Sequence, residues 1–341
     1  MKNNQATIYD IAEKVNVTPM TVSRALNNKG YVSERTREKI YAAAEELNYR
    51  PNLLAKSLKT AKTNQVLVVV IQDESFNYSF LKPVSEQLEQ NGYSLILRYS
   101  QGRDSENVNI VDSMNNNYAD ALILMTRSLS PNLIEAVKGV SKPCVAVTFF
   151  QPEKAVSEIN YVSIDTKKGI SLSVRHLVEA GYRRICYIGT TTDAEEGRER
   201  YQGFVETMDE CSMEVEPQLV FLGNYGEEFG YQCGRVIASY PRAKWPDAIC
   251  AASDLFVLGI YRAFEEAGIS IPEEIAIIGM DNIREDIIAR PKISSVDIKA
   301  AEVGEEAVRL ILKKLEDGSE LNEEELFRHF EPEIVIRDSS H

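Results

Sequence analysis

The chain has 341 residues, 44% hydrophobic and 26% charged, the balance of a globular protein of two or three domains. No apolar run approaches the roughly 18–20 residues of a membrane-spanning helix, and the opening MKNNQATIYD lacks the apolar segment of a secretory signal. Neither a membrane partner nor export is expected, and a cytoplasmic location is. The net charge of −14 argues against a polyanionic partner until its distribution is read. Residues 1–62 hold 11 Lys+Arg and 6 Asp+Glu, and the remainder holds 27 and 46. A basic head on an acidic body concentrates attraction for phosphates in the head.

Thr7 is placed to cap a first helix, with Asp10 as its capping-box partner. Ile8, Ile11, Ala12 and Val15 follow at helical spacing, to an end near Asn16. Thr18 is a second N-cap, with Pro19 at the first helical position, where its missing N–H costs nothing. Val22, Ala25 and Leu26 point inward, which leaves Met20, Thr21, Ser23, Arg24 and Asn27 outward. Asn28-Lys29-Gly30 is turn chemistry. Ser33 caps a third helix with inward Ile40, Ala44 and Leu47, which stops before Arg50-Pro51. Three short helices suit a helix-turn-helix or any small three-helix bundle. Short polar side chains and one Arg on the outward face suit base edges and phosphates better than a solvated face rich in Glu and Lys.

Asn52–Leu58 is oddly apolar for a linker, and Thr60–Asn64 reads as a polar joint. The segment is either a helix extension packed on the head or a hinge whose apolar residue wedges into a DNA minor groove.

From Val66 the pattern changes. Apolar strand-length runs at Val66–Ile71, Ser94–Tyr99, Ala119–Met125, Pro143–Thr148, Tyr161–Ile164, Arg184–Ile188, Leu219–Leu222, Ala248–Ala251 and Ile275–Ile278 alternate with helical segments. The helical segments include Glu106–Asn116, Pro131–Lys138, Gly169–Ala180, Arg200–Cys211, Phe229–Tyr240 and Leu255–Ala267. The alternation predicts parallel sheets with helices on both faces. There are too many strands for one small sheet, so two doubly wound lobes across a ligand cleft fit the count. The tail reads as a strand at Ser294–Ile298, a helix at Ala300–Leu315, a solvated acidic turn at Glu316–Glu325 and a last strand at Glu331–Ile336.

Five cysteines (144, 186, 211, 233 and 250) lack close metal-ligand spacing. Cys144, Cys186 and Cys250 sit in apolar runs and read as buried free thiols, with a regulatory thiol as the alternative. Phosphate-loop, serine-elbow and zinc-helix motifs are absent, and no catalytic residue, metal or cofactor is expected. His176 falls on a helix, and His329 and His341 lie near the end of the chain.

The head resembles that of the LacI/GalR family of bacterial transcription regulators. The matching residues are Thr7-Ile8-Tyr9-Asp10-Ile11-Ala12, Thr21-Val22-Ser23-Arg24-Ala25-Leu26-Asn27, Arg35-Thr36-Arg37, Leu47-Asn48-Tyr49-Arg50-Pro51-Asn52 and Ala55-Lys56-Ser57-Leu58. Weaker matches continue in order through Arg200-Tyr201-Gln202-Gly203-Phe204, Ser253-Asp254 and Ile278-Gly279-Met280-Asp281-Asn282. The resemblance implies an all-α helix-turn-helix head, 1–50, a hinge helix and linker, 51–64, and an α/β, two-lobed, periplasmic-binding-protein-like effector domain, 65–341. Its lobes would be about 65–161 with 293–321, and 162–292 with 322–341.

The implied function is a homodimeric repressor, with a tetramer left open, on a near-palindromic double-stranded operator. A small-molecule effector, a sugar or sugar derivative, would control it. Induction and corepression both remain open, as does a phosphoprotein coeffector. Thr18, Pro19, Met20, Thr21, Ser23, Arg24, Asn27 and Tyr49 would meet DNA, with Ala55, Lys56 and the lever Leu58 in the hinge. Pro19 and Met20 offer apolar contact, for example to thymine methyls. The effector positions fall on Phe76, Thr148, Arg200, Tyr225, Ser253 and Asp281. Arg200 and Asp281 also suit sugar hydroxyls or a carboxylate by their own chemistry, or serve as cleft scaffolding. Glu74–Tyr78 and Thr148-Phe149 depart from the family pattern and weigh against the usual hexose-type ligand. Two other classes stand beside this reading. A sugar-transport component has no use for residues 1–58, and an enzyme on a doubly wound fold would need turnover of a bound ligand.

Overall fold

The computed structural model describes residues 6–27, 30–49, 62–71, 77–101, 103–116, 118–152, 159–317 and 327–341. The chain divides into two compact units, Met1–Thr63 and Asn64–His341.

The first unit is built from α1 (Ile8–Val15), α2 (Pro19–Leu26) and α3 (Glu34–Glu46). The Asp10 carboxylate accepts hydrogen bonds from the Thr7 N–H (2.6 Å) and hydroxyl (2.7 Å), which start α1 and hold Asp10 below its ordinary pKa. Asn16 ends α1 in the left-handed conformation, φ 55°. Ile11, Val22, Ala25 and Ile40 are fully buried between the helices. On α3 the second buried position is Ala43, and Ala44 and Leu47 are only half-buried. Lys14 pairs with Glu46 at 2.6 Å, joining α1 to α3.

In the second unit the elements run β1 (Gln65–Ile71), α4 (Asn77–Gln90), β2 (Ser94–Ser100), α5 (Asp104–Ser113), β3 (Ala121–Thr126), α6 (Pro131–Gly139), β4 (Cys144–Thr148) and β5 (Tyr161–Ile164). They continue with α7 (Thr166–Glu179), β6 (Ile185–Thr190), α8 (Glu195–Glu210), β7 (Val220–Gly223), α9 (Glu227–Ser239), β8 (Ala248–Ala251), α10 (Asp254–Ala267) and β9 (Ala276–Met280). The last elements are β10 (Ser294–Asp297), α11 (Ala300–Asp317), β11 (Phe327–Phe330) and β12 (Glu333–Val335).

Two six-stranded sheets result, ordered β11-β5-β4-β3-β1-β2 and β12-β10-β9-β8-β6-β7. All pairings are parallel except β10 with β12. Parallel pairing needs covering helices on both faces, so β3, β4, β5 and β8 are buried along their whole length. Cys144, Cys186, Cys233 and Cys250 are free and buried, and burial pushes the Cys144 and Cys250 thiols up to about 12.

The crossovers between lobes differ from the expected positions. All of Tyr161–Ile164 pairs in the first sheet, because Tyr161 to Ser163 are in register with Ala146 to Thr148. Ser294–Asp297 belongs to the second sheet, paired to β9, so lobe 1 is not rejoined at 293 but at α11. Phe327–Phe330 returns to the first sheet beside β5, so lobe 2 is re-entered only at β12. The short sequence Phe-Arg-His-Phe, with two charged or polar members, carries too little pattern to announce a strand. His329 therefore lies in a sheet, its ring bonded to Ser163 and edge-on to Tyr161.

Helices α9 and α10 cross at glycines. A Cβ on Gly230 would lie 2.2 Å from Phe256 O, and one on Gly259 would lie 2.0 Å from Glu227 O. Ala is the better helix former by about 1 kcal/mol, but here the helices would have to separate. Gly259→Ala is expected to destabilise the protein by about 1–3 kcal/mol, read by urea unfolding. A stabilised variant would show that the contact has slack.

Candidate functional site

The head presents α2. Thr18 Oγ1 accepts from the Thr21 N–H (3.2 Å) and lies 2.9 Å from Thr21 Oγ1, so cap and neighbour lock each other. The Asn27 carboxamide donates to Ser23 O at 2.8 Å, closing the other end. Tyr41 of α3 donates to Ala25 O at 3.2 Å. Met20 is 64% exposed, Arg24 and Asn27 are exposed, and Pro19, Thr21 and Ser23 are half-buried. Gly30, with φ +74°, sits beneath the Arg24 stem: a Cβ there would touch Arg24 Cδ at 3.5 Å. That φ favours glycine, which adopts it without strain. Tyr49 is half-buried against the head core, and burial raises its pKa. The expected hinge residues Ala55, Lys56 and Leu58 lie outside the described residues, as does Phe76.

In the body the expected ligand residues gather at the carboxyl ends of strands. Tyr225 follows β7, Ser253 follows β8 as the N-cap of α10, and Asp281 follows β9 with φ 118°. Ser253 Oγ donates to Asp281 Oδ2 at 2.7 Å, and Tyr225 Oη lies 2.7 Å from Ser253 Oγ and 3.2 Å from Asp281 Oδ2. These three residues form one cluster. The Arg200 side chain has no exposed surface. It donates to Ala252 O at 2.8 Å and lies 2.8 Å from Glu196 on the same face of α8. Thr148, at the end of β4, is also fully buried and donates to Phe150 O at 3.0 Å.

Two residues without a sequence motif, Glu196 and Arg127, adjoin these side chains. Glu196 is 1% exposed and takes Arg200 on one oxygen and Arg127, at 3.3 Å, on the other. Arg127 follows β3 in the other lobe, and its guanidinium carbon lies 5.2 Å from the centre of the Tyr225 ring. Helix α8 begins at Glu195, five residues before the expected start. Asp193-Ala194-Glu195-Glu196-Gly197 reads as a loop, although two acids are the usual dress of a helix N-terminus.

Beneath the cluster lies a second acidic group. Asp254, at the first position of α10, and Asp286 are fully buried, close enough that each carboxyl shifts the other's titration. Asp254 also accepts from Ser295 Oγ at 2.8 Å. Burial, then the charges of Asp286 and Asp281, push Asp254 well above the carboxylate range. Burial lifts Asp286 from 3.8 to about 7, against the lowering influence of Asp254 and Arg337.

A family model described as bacterial regulatory proteins, lacI family, matches residues 7–52, and one described as a periplasmic binding protein-like domain matches 174–340. The chain is 27% identical over 336 residues to the HTH-type transcriptional repressor PurR of Mannheimia succiniciproducens, with 98% of each chain covered. A solved transcriptional regulator CelR–cellobiose complex is similar with a TM-score of 0.70 and 26% identity, covering 98% of this chain and 100% of that one. The lac repressor dimer bound to operator and the anti-inducer ONPF gives a TM-score of 0.85 at 22% identity, a likeness of fold, over 98% and 99% of the two chains. Among the described residues no helix is long and apolar enough to cross a membrane.

The acid pair sets a pH dependence. Asp286 keeps in the folded protein a proton that the unfolded chain releases near pH 4, so its contribution to stability falls as pH rises through 4 to about 7. Burial lowers the His329 pKa, which makes stability rise with pH in part of the same window. The difference between parent and Asp286→Asn therefore isolates the Asp286 carboxyl. Urea unfolding at about pH 5 and pH 8 should show the variant gaining on the parent as pH rises. Parallel curves would remove the pair from this account.

Proposed function

The chain belongs to the LacI family of bacterial regulatory proteins, and on that premise we propose that a sugar or sugar derivative held between its two lobes controls its affinity for an operator. It is a DNA-binding transcriptional repressor. The observation that carries the ligand class is the Tyr225–Ser253–Asp281 cluster. A carboxylate acceptor beside two hydroxyls and an aromatic face matches a ring with hydroxyls on its rim and C–H groups on its faces. The cellobiose in the CelR complex supports the same class. Arg200 and Thr148 are engaged with protein groups, so their part is to shape the cleft or to exchange those partners for ligand oxygens.

On the DNA side Arg24 reads a base edge, and Thr18, Thr21, Ser23, Asn27 and Tyr49 seat the helix on phosphates. Pro19 and Met20 add apolar contact. Ala55, Lys56 and Leu58 are assigned to a hinge in the minor groove. A homodimer places two such heads on a near-palindromic site. Leu97 and Tyr99 on the edge strand β2, and Ile287 and Ile288 after β9, are exposed apolar residues that a second copy would cover.

Thermal shift of the full chain against a panel of mono- and disaccharides, cellobiose included, tests the ligand class. A binding saccharide stabilises the folded state by mass action. Titrating operator affinity with that saccharide gives the sign: loss means induction and gain means corepression. A panel with no hit, against a shift from a phosphorylated protein, would replace the small-molecule reading.

Arg24→Ala is expected to cost about 1–3 kcal/mol on operator DNA selected from a random duplex pool. The loss on random DNA should be clearly smaller. Equal losses on both would reduce Arg24 to a phosphate contact.

A further inference from the structure

A short stretch after β3 ties lobe 1 to the first turn of α8 in lobe 2. The Glu196 N–H donates to Arg127 O at 3.2 Å, and the Glu195 N–H donates to Ser128 Oγ at 3.1 Å. The Leu129 N–H donates to the Glu195 carboxylate at 3.0 Å. Arg127 Nε lies 3.3 Å from Glu196 Oε2, and the same guanidinium covers the Tyr225 ring. These contacts cross the cleft beside the cluster assigned to the ligand.

We propose that Arg127 is a built-in latch: without ligand it closes lobe 1 onto lobe 2 through Glu196 and shields the Tyr225 face, so a ligand enters by displacing it. The inference rests on the cleft reading above and names a regulation of that site.

The charge arrangement distinguishes a latch from a fixed staple. Breaking a buried ion pair is costly when it strands a charge without a partner. Glu196 is not stranded when Arg127 leaves, because Arg200, one helical turn away on α8, stays at 2.8 Å. Arg127 is not stranded either: its side chain is 21% exposed, against 2% for Glu196, so water receives the guanidinium as it swings out. The permanent pair lies within one helix, and the pair that can open lies between lobes. The ring contact has the same character, since a guanidinium over Tyr225 gives way to a ligand that stacks there.

Interlobe distance in the full chain, with no ligand present, tests the latch. Labels go on cysteines introduced at exposed Asn132 in lobe 1 and exposed Glu265 in lobe 2. The background is Cys211→Ser, because the other four native thiols are buried. Labelled chains are diluted with unlabelled ones so that single copies are read.

The parent should give one short distance. Arg127→Ala should give a longer mean or a second, open population, and Arg127→Lys, which keeps the charge, should fall between them. Raising the salt should move the parent toward the open population, and Arg127→Ala should respond less. Identical distributions in the parent and Arg127→Ala at every salt concentration would overturn the latch. The ligand reading fails separately. An open Arg127→Ala cleft with no saccharide hit leaves the latch standing, and saccharide binding with unchanged distances leaves the ligand reading standing.

Discussion

Burying the Arg200 guanidinium places a strong local demand on the body. A cation without exposed surface is costly unless every side of it meets an acceptor. Here Ala252 O accepts from Arg200, and the Glu196 carboxylate places a counter-charge 2.8 Å from the guanidinium. The demand fixes neighbours on both sides. Ala252 precedes Ser253, so holding its carbonyl also holds the hydroxyl that reaches Asp281. Glu196 lies in the first turn of α8, so holding its carboxylate fixes the helix end that meets lobe 1. Gly197 lets that turn press on the preceding loop, where a Cβ would come within 2.1 Å of Thr191 O. One buried cation thus ties the Tyr225–Ser253–Asp281 cluster and the seam between lobes together.

The acid pair beneath the cluster is tolerated for local reasons. Gly279 makes room for Asp254, since a Cβ there would lie 1.9 Å from Asp254 Oδ1. Arg337, 3.8 Å from Asp286, also donates to Asn282 Oδ1 at 2.5 Å and to Ile293 O at 2.6 Å. Arg337 comes from the last residues of the chain, which are held in turn. Ser339 Oγ donates to Ile277 O at 2.6 Å, and His176 Nε2 lies 2.6 Å from Ser340 O. The end of the chain is therefore a floor under the cluster. His176, on α7, anchors these residues through Ser340.

How much of this was legible varies with the kind of signal. The head helices announced themselves through caps, because Thr7, Thr18 and Ser33 sit where a first turn needs an acceptor. Strands β1, β3 and β4 were legible as continuous apolar runs, since a strand covered on both faces has no reason to alternate. Ala43 and Ala44 were not separable, because neighbouring alanines fit one helical stripe equally well. The ligand positions came from resemblance, and their contacts came only from the fold. A lone Arg after an apolar run and a Glu in a first turn carry no periodic signal. Arg127 and Glu196 become a pair only when a strand end and a helix start 69 residues apart in sequence meet across a cleft.

The chain passes between lobes at three short places, after β5, after β10 and after β11. Those crossings carry ion pairs of a different kind. Lys299 pairs with Glu333 at 2.8 Å, and Lys168 with Glu331 at 2.7 Å, with the carboxylates 70% and 75% exposed. Exposed pairs contribute little and break readily in water. The backbone there already includes Lys299 at φ 56°, a short turn rather than a continuing element. The crossings thus carry exposed pairs, whereas the seam at the mouth sets a half-buried Arg127 against a buried Glu196. A protein arranged this way is moved most effectively by something that acts at the mouth. The cluster of Tyr225, Ser253 and Asp281 adjoins that seam through Arg127, whose guanidinium lies over the Tyr225 ring, so occupancy of the cluster and the state of the seam would be coupled.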